Sequence, residues 1–401
     1  MGWRYLPPVH SPLSWPAVAA GIKAALKGDQ GARDRFERVL AAHHGVTRVL
    51  LTDSGTAALT LAMRLAMTAT GRSRIALPAY CCYDLVTALN GARADVVLYD
   101  VDPATLGPVW SSLEAALEAQ PAAVVAAHLY GLPVDMPRVM ETADRHDVVV
   151  IEDAAQGLGA TLGGKPLGTF GHLRVLSFGR GKGVTAGRGG ALLVAPGRRG
   201  LDGSERVQDS SRGVVELVAL VAQWLLARPW LYRVPASLPG LKLGDTVYRD
   251  PAPPGSMSAV AAAVVEYTWK SQSSESQNRR RNAARLLRIG NELPGLSIVL
   301  PIAPADAGWL RLPLLAPGIE RADGRMRTAR RWGVMPGYPQ SLETLPALPP
   351  RAPNLQLPGA ARLVAELWTL PTHSMLTSGD LDRLERWLTA TFSSPRAFPD
   401  R

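Results

Sequence analysis

Three short stretches in the first half of the chain carry side chains with chemical potential. Asp53-Ser54-Gly55-Thr56-Ala57-Ala58-Leu59 sets hydroxyls and small residues between an apolar run and a helical pattern. At such a strand-to-helix turn, backbone N–H groups and a hydroxyl can hold a phosphate on the helix dipole. Ile151-Glu152-Asp153-Ala154-Ala155-Gln156-Gly157 places a carboxylate, Asp153, just past the apolar run Val148–Ile151. Ser177-Phe178-Gly179-Arg180-Gly181-Lys182 places a lysine on a glycine-rich loop beyond another apolar run. A phosphate cradle, a strand-end acid and a loop lysine are what a pyridoxal phosphate site requires. The cradle anchors the cofactor, the acid keeps its pyridine nitrogen protonated, and the lysine forms the Schiff base.

Competing signatures fail on spacing. Gly179-Arg180-Gly181-Lys182-Gly183 resembles the end of a P-loop, but Gly183 stands where Ser or Thr must hold magnesium. Gly157-Leu158-Gly159-Ala160-Thr161-Leu162 lacks the third glycine of a dinucleotide fingerprint. The histidines His10, His43, His44, His128, His146, His172 and His373 show no metal spacing, so no metal is expected.

These residues need a scaffold, and composition bounds it. With 401 residues, 47% of them hydrophobic, the chain can bury a large core without crosslinks. The cysteines, Cys81 and Cys82, are adjacent, which disfavours a structural disulfide and fits a reduced, cytoplasmic setting. The start of the chain shows no secretion-signal pattern. The net charge of +10 is carried mainly by arginine, since the lysines are only Lys23, Lys27, Lys165, Lys182, Lys242 and Lys270. A basic surplus suits anionic ligands and is equally the default of an Arg-rich composition.

From residue 47 onward, short apolar runs alternate with helix-length stretches. Strands are expected at 47–51, 74–77, 95–98, 122–127 and 148–151, with helices at 56–67, 83–90, 110–118 and 136–145. This alternation predicts βαβ units and a mainly parallel central sheet with flanking helices. Further strands are expected at 174–178 and 190–194, then an apolar insertion over about 195–255. From residue 256 the pattern predicts a long helix over 259–287, a strand at 309–314, and helices near 319–332, 359–366 and 379–391. The expected division is a large α/β domain, 1–250, and a small C-terminal α+β domain, 251–401. Residues 213–227 are apolar but too short and interrupted to span a membrane. They predict a buried or subunit-interface helix first, and a helix lying at a membrane surface second.

Together the three motifs resemble the DegT/StrS family of sugar aminotransferases, which are fold-type-I pyridoxal phosphate enzymes. The resemblance covers about residues 30–195 and includes Tyr99-Asp100-Val101-Asp102 and the stretch Ala127–Met136, similar to the family's "HLYG…DM". It resumes at 370–376, where Leu370-Pro371-Thr372-His373 resembles the closing "LP.H..L" segment. The resemblance implies that Lys182 is the Schiff-base lysine and proton shuttle and Asp153 the partner of the pyridine nitrogen. Gln156 would lie beside the ring, and Ser54, Gly55, Thr56 and Ser177 would bind the phosphate. The family's stacking aromatic is replaced by Cys82, leaving Tyr80 or Tyr83 to cover the ring. Arg188 and His373 are substrate-side candidates. The family's early Gly-Trp-x-Thr segment is replaced by Lys27–Gly31, and its Asn-Tyr-Arg stretch by Gly244–Arg249.

The implied activity is transfer of an amino group from glutamate or glutamine to a keto group, as of a nucleotide-linked keto-sugar, by a homodimer with shared active sites. Alternatives are a pyridoxal phosphate enzyme of another reaction type or on a non-sugar ketone, and a non-catalytic member weakly associated with the inner membrane face. Nucleic-acid binding is not expected. Arg279-Arg280-Arg281 reads as a solvated face or a substrate clamp.

Overall fold

The computed structural model describes residues 4–27, 29, 31–201, 205, 207–209, 213–233, 246–320, 323–349 and 356–393. In chain order these form α1 (Trp15–Lys27), α2 (Gly31–His44), β1 (Arg48–Thr52), α3 (Gly55–Thr70), β2 (Arg74–Pro78), α4 (Asp84–Ala92) and β3 (Asp95–Tyr99). Then follow α5 (Trp110–Glu118), β4 (Ala123–Ala127), α6 (Met136–Arg145), β5 (Val149–Asp153), β6 (Thr161–Leu162), β7 (Lys165–Pro166), β8 (Leu173–Ser177) and β9 (Gly190–Val194). Next come α7 (Gly213–Leu226), α8 (Ala259–Trp269), α9 (Gln272–Gly290), β10 (Ser297–Ile298), β11 (Ala305–Asp306) and β12 (Leu312–Leu315). The last are α10 (Gly324–Ala329), β13 (Met335–Pro336), α11 (Pro358–Glu366), β14 (Leu367–Leu370) and α12 (Ser378–Phe392).

The main sheet has seven strands in the order β1-β9-β8-β5-β4-β2-β3. All run parallel except β9, which pairs antiparallel with both β1 and β8. Every residue of β4, β5 and β8 is buried, as the continuous apolar runs require of strands covered on both faces. One face shares a continuous apolar cluster with the smaller lobe, joining Leu61 and Ile151 to Leu312 and Trp368. The other face packs with α1, α2 and α8 through residues such as Phe36, Leu176 and Val264. The fold class is therefore the expected α/β one. The smaller sheet runs β10-β12-β14-β13, and β11 adds to β6-β7 in a third.

Helix α3 aims its first turn at the ends of the parallel strands. Ser54 caps it by accepting from Ala57 N (3.1 Å), and Gly71, in the left-handed region at φ 69°, ends it. The long helix expected over 259–287 is two helices. At the break, Ser271 Oγ donates to Thr268 O (2.8 Å) while Thr268 Oγ1 turns to Thr185 O (2.7 Å). These hydroxyl bonds to the backbone let α8 stay on the main sheet while α9 leaves it to pack with α12. The boundary expected at residue 250 precedes α8, which packs on α1 and α2. Arg279 is neither solvated nor a clamp. It is buried, and its Nη2 donates to His10 O (3.3 Å) and Gly183 O (3.4 Å).

Two buried histidines, His44 and His373, and the half-buried His10 tie elements together in the neutral form. His44 Nδ1 donates to Gly168 O (3.0 Å) and His373 Nε2 to Pro7 O (2.9 Å), while the His10 ring lies 5.9 Å from that of His373. Burial lowers the pKa of His10 and of His44 to about 4 and that of His373 to about 3. Each is depressed below its unfolded value, so the stability each contributes is fully present above about pH 6.5 and lost as pH falls toward 4. Thermal melts from pH 7 to pH 5 are expected to show a falling midpoint, each histidine contributing up to about 1.4 kcal/mol per pH unit. Replacing His373 with Asn should flatten that slope. An unchanged midpoint across this range contradicts the assignment.

Candidate active site

Strand ends, helix starts and one glycine-rich loop converge on a cleft of about 600 Å³. It lies at the carboxyl ends of the parallel strands, where open α/β sheets leave a crevice. Ser54, Gly55, Thr56, Asp153, Gln156, Ser177, Lys182 and Arg188 all line it. Eight positions singled out from the sequence thus meet in one place.

The corner at the start of α3 is built by close approach. A Cβ on Gly55 would fall 2.8 Å from Ser177 Cβ and 2.9 Å from its Oγ, so glycine alone lets that hydroxyl lie against the first turn of α3. A Cβ on Gly190 would fall 2.5 Å from Ser54 O, so β9 also enters at backbone contact. The Gly55 and Thr56 N–H groups, at the start of α3, lack acceptors within the helix. Ser54 spends its hydroxyl differently: besides capping, it donates to Asp53 Oδ1 (3.1 Å). Arg188 lies 3.9 Å from Asp53 Oδ2.

Asp153 ends β5 on the cleft floor. Its Oδ1 accepts from Ala155 N (3.0 Å), and burial, set against that bond and the Lys182 charge, pushes its pKa up. Its neighbour Glu152 points to the opposite face, as strand geometry dictates. There its carboxylate faces His128 Nε2 (3.1 Å) and accepts from Gly168 N (2.6 Å), Phe170 N (2.8 Å) and Gly171 N (2.9 Å). Burial opposes its charge, yet the His128 bond and these N–H groups hold its pKa below the usual range. His128 Nδ1 accepts from Val134 N (3.1 Å), which assigns the proton to Nε2.

Gln156 is committed at both ends. Its Oε1 accepts from Tyr130 N (3.0 Å) and its Nε2 donates to Tyr338 Oη (2.9 Å).

Three expected residues lie elsewhere. Tyr80 and Tyr83 turn away from the cleft into an aromatic cluster around Tyr338, at ring separations of 5.3 and 6.4 Å. Their phenol oxygens accept from Tyr338 N (2.8 Å) and Gln340 N (3.1 Å). The cleft wall is instead Cys81 and Cys82, whose thiols are pushed up by burial, Cys82 well beyond any ordinary thiol. His373 is sealed in the core against Pro7, outside the cleft lining.

The roof of the cleft is an element the sequence did not foretell. Helix α7, from the apolar insertion, lays Glu216, Leu220 and Gln223 over the cleft. The spacing of four and three residues puts them on one helix face. Leu220 and Gln223 Oε1 sit close above Gly187, at 3.4 and 3.6 Å from where its Cβ would be. Glu216 accepts from Ser258 Oγ, whereas Gln223 Oε1 is buried with no partner among the described residues. The outer face of α7 leaves Val215 and Val218 exposed, with Leu225, Trp230 and Trp15 alongside. Among the described residues no helix is long and apolar enough to cross a membrane. Arg249 lines the cleft and a second of about 560 Å³ beside it, both bordered by Asp53, Thr56 and Arg188. Thr87 Oγ1 fixes its backbone by donating to Arg249 O (2.7 Å). Of the replaced family segments, Gly28, Gln30, Gly244 and Asp245 lie outside the described residues.

Residues 21–198 match the sequence profile of the DegT/DnrJ/EryC1/StrS aminotransferase family. An L-glutamine:2-deoxy-scyllo-inosose aminotransferase from Streptomyces kanamyceticus is 36% identical over 174 residues, 43% of this chain and 40% of that protein. A UDP-N-acetyl-3-dehydro-alpha-D-glucosamine 3-aminotransferase from Acidithiobacillus ferrooxidans is 35% identical over 169 residues, 42% of this chain and 45% of that one. The chain thus matches less than half the length of these curated relatives. In structure it resembles the pyridoxal phosphate form of the sugar aminotransferase Spr1654 from Streptococcus pneumoniae. The TM-score is 0.75 at 16% identity, over 96% of this chain and 98% of that one. This likeness extends the fold beyond the matched segment. The likeness to the DegT/DnrJ/EryC1/StrS aminotransferase family thus lies in residues 21–198, which hold the first turn of α3, Asp153 and Lys182.

Proposed function

We propose that this protein is a pyridoxal-phosphate-dependent aminotransferase. It would take the amino group of glutamate or glutamine and deliver it to the keto group of a sugar-like ring, as on a nucleotide-linked keto-sugar. The observation carrying this reading is that Lys182, Asp153 and the first turn of α3 share one cleft. The residues fit the cofactor on two physical grounds. At the Gly55–Ser177 corner the missing Cβ brings the Ser177 hydroxyl against N–H groups suited to a phosphate. Asp153 is a desolvated carboxyl with one oxygen committed, an environment that a cationic pyridine nitrogen relieves.

Once bound, pyridoxal phosphate supplies an aldehyde for amines and an electron-withdrawing ring that stabilises charge at the carbon losing its proton. Gly55, Thr56 and Ser177 Oγ would hold the phosphate, and Asp153 would pair with the ring nitrogen. Lys182 Nζ would hold the aldehyde and serve as the base that moves the proton. Gln156, locked by Tyr130 and Tyr338, borders the ring as a fixed wall. On the roof, Gln223 Oε1 accepts from a hydroxyl of the substrate, which supplies its missing partner. Arg188 and Arg249, at the opening to the second cleft, receive the anionic arm of the substrate.

The protein is further proposed to be a homodimer, with the exposed apolar face of α7 covered by a second copy. Contiguous apolar surface on a soluble chain marks an interface.

Two experiments test these readings. Purified protein mixed with pyridoxal phosphate should turn yellow, and glutamate or glutamine should bleach it to the pyridoxamine form. Lys182→Ala should abolish the colour and lower turnover by about 10³-fold or more. Wild-type protein that binds the cofactor yet reacts with neither donor refutes the aminotransferase reading. For the assembly, sedimentation velocity should give a dimer for the wild type and more monomer for Val218→Asp. A monomeric wild type that floats with anionic vesicles would assign the α7 face to a membrane surface instead.

A further inference from the structure

The loop that carries Lys182 is closed at its base, where Phe178 N donates to Gly189 O (2.8 Å) and Ala186 N to Phe178 O (2.8 Å), but the stretch around the lysine is rich in glycine. Gly179, Gly181, Gly183, Gly187 and Gly189 fall within eleven residues, and each glycine loses more backbone freedom on ordering than any other residue. Bonds from outside the loop add to its order. At its far end, Thr268 Oγ1 donates to Thr185 O (2.7 Å), and Gly189 N donates to Asp53 O (3.0 Å). Nearer the lysine, Arg279 reaches Gly183 O (3.4 Å). At Lys182 itself, the main-chain carbonyl accepts from the hydroxyl of Ser11.

Ser11 belongs to an N-terminal strap that is itself pinned on the smaller lobe. Leu6 N donates to Arg331 O (2.9 Å), and Pro7 O accepts from His373 Nε2 (2.9 Å). Gly333 lies so close that its Cβ would fall 2.8 Å from Pro7 O. His10 O accepts from Arg279 Nη2 (3.3 Å), the same nitrogen that reaches Gly183 O. Val9 packs over Gly181, 3.7 Å from where a Cβ would be. Residues 6–11 therefore run from the smaller lobe to the reactive loop with an anchor at nearly every step.

We propose that Ser11 is a positioning residue for Lys182: through its hydroxyl, the N-terminal strap fixes the main chain from which the amine reaches the cleft. The inference rests on the cofactor reading above. Without the hydroxyl, the Lys182 carbonyl loses its partner and the glycine loop regains freedom, so less of the protein presents its amine to the aldehyde. The relevant step is condensation of the Nζ amine with the aldehyde carbon of pyridoxal phosphate, forming a carbon–nitrogen double bond and releasing one water.

The test uses the full chain and pyridoxal phosphate alone, with no substrate. Wild type, Ser11→Ala and Ser11→Thr are titrated with the cofactor, and absorbance of the lysine adduct is followed against concentration and pH. Ser11→Ala should bind about tenfold more weakly, the scale set by losing one buried hydrogen bond, and its absorbance–pH midpoint should move. Ser11→Thr, which keeps the hydroxyl, should restore both. If Ser11→Ala does not fold, Ser11→Cys, similar in size with a much weaker donor, is read in its place. A merely structural Ser11 would lower the melting temperature while leaving affinity and midpoint of the folded protein unchanged, and that result overturns the inference. Wild-type protein that forms no adduct overturns the cofactor reading and this inference with it.

Discussion

Two consecutive carboxylates at the end of β5 set the terms for everything around them. Glu152 and Asp153 are both buried, and the strand sends them to opposite faces of the sheet. An ionised carboxyl taken out of water needs donors to replace its hydration. Glu152 has four, from His128 and three backbone N–H groups, so it is complete and serves to fold the 168–171 loop and orient His128. Asp153 has one N–H on one oxygen, and its raised pKa reflects the shortfall. The same chemistry thus gives a structural group on one face and, on the other, a carboxyl bordering the cleft. The fully buried strands β4, β5 and β8 hold both in place.

The side walls follow the same economy of polar groups. Gln156 could have turned its amide wholly into the cleft, but Tyr130 and Tyr338 claim it from behind. That cluster also takes Tyr80 and Tyr83, whose hydroxyls satisfy backbone N–H groups of residues 338 and 340. Drawing two large aromatics backward leaves the small thiols of Cys81 and Cys82 on the cleft side. The wall is therefore recessed where an aromatic face was expected, and the roof of α7 closes over the opening from above.

Much of this was legible in the sequence because it is local. Strand-end Asp153, the Ser54–Thr56 turn and the glycine loop before β9 each combine a buried apolar run with a conformational signal, and period and turn chemistry suffice to place them. The directions of residues 80–83 were not legible, because this stretch leaves β2 without any period to assign faces. Residues 213–227 read as a buried or subunit-interface helix, but Gln223 gained meaning only from packing above Gly187 and Glu216 from meeting Ser258, both far away in sequence. The break at 270–271 was hidden for another reason: no glycine or proline marks it, and it rests on hydroxyls choosing distant carbonyls. His373, picked by motif, is buried because Pro7 comes back to meet it.

Charge provides the last constraint. The chain carries +10 overall, yet the cleft lining balances Arg180, Lys182, Arg188 and Arg249 against Asp53, Asp84, Asp153 and Glu216. The basic surplus therefore lies outside the site and says little about what binds there. Within the cleft the charges are sorted by position. Arg188 and Arg249 border the first turn of α3 and the second cleft, while Glu216 and the orphaned Gln223 oxygen hang from the roof. Anionic groups are favoured at one end and hydrogen-bond donors at the other, with Asp153 on the floor between them. A site so arranged selects for the distribution of polarity along a ligand rather than for its net charge. This is what a phosphate-bearing ring cofactor and a hydroxylated acceptor, bound side by side, would demand.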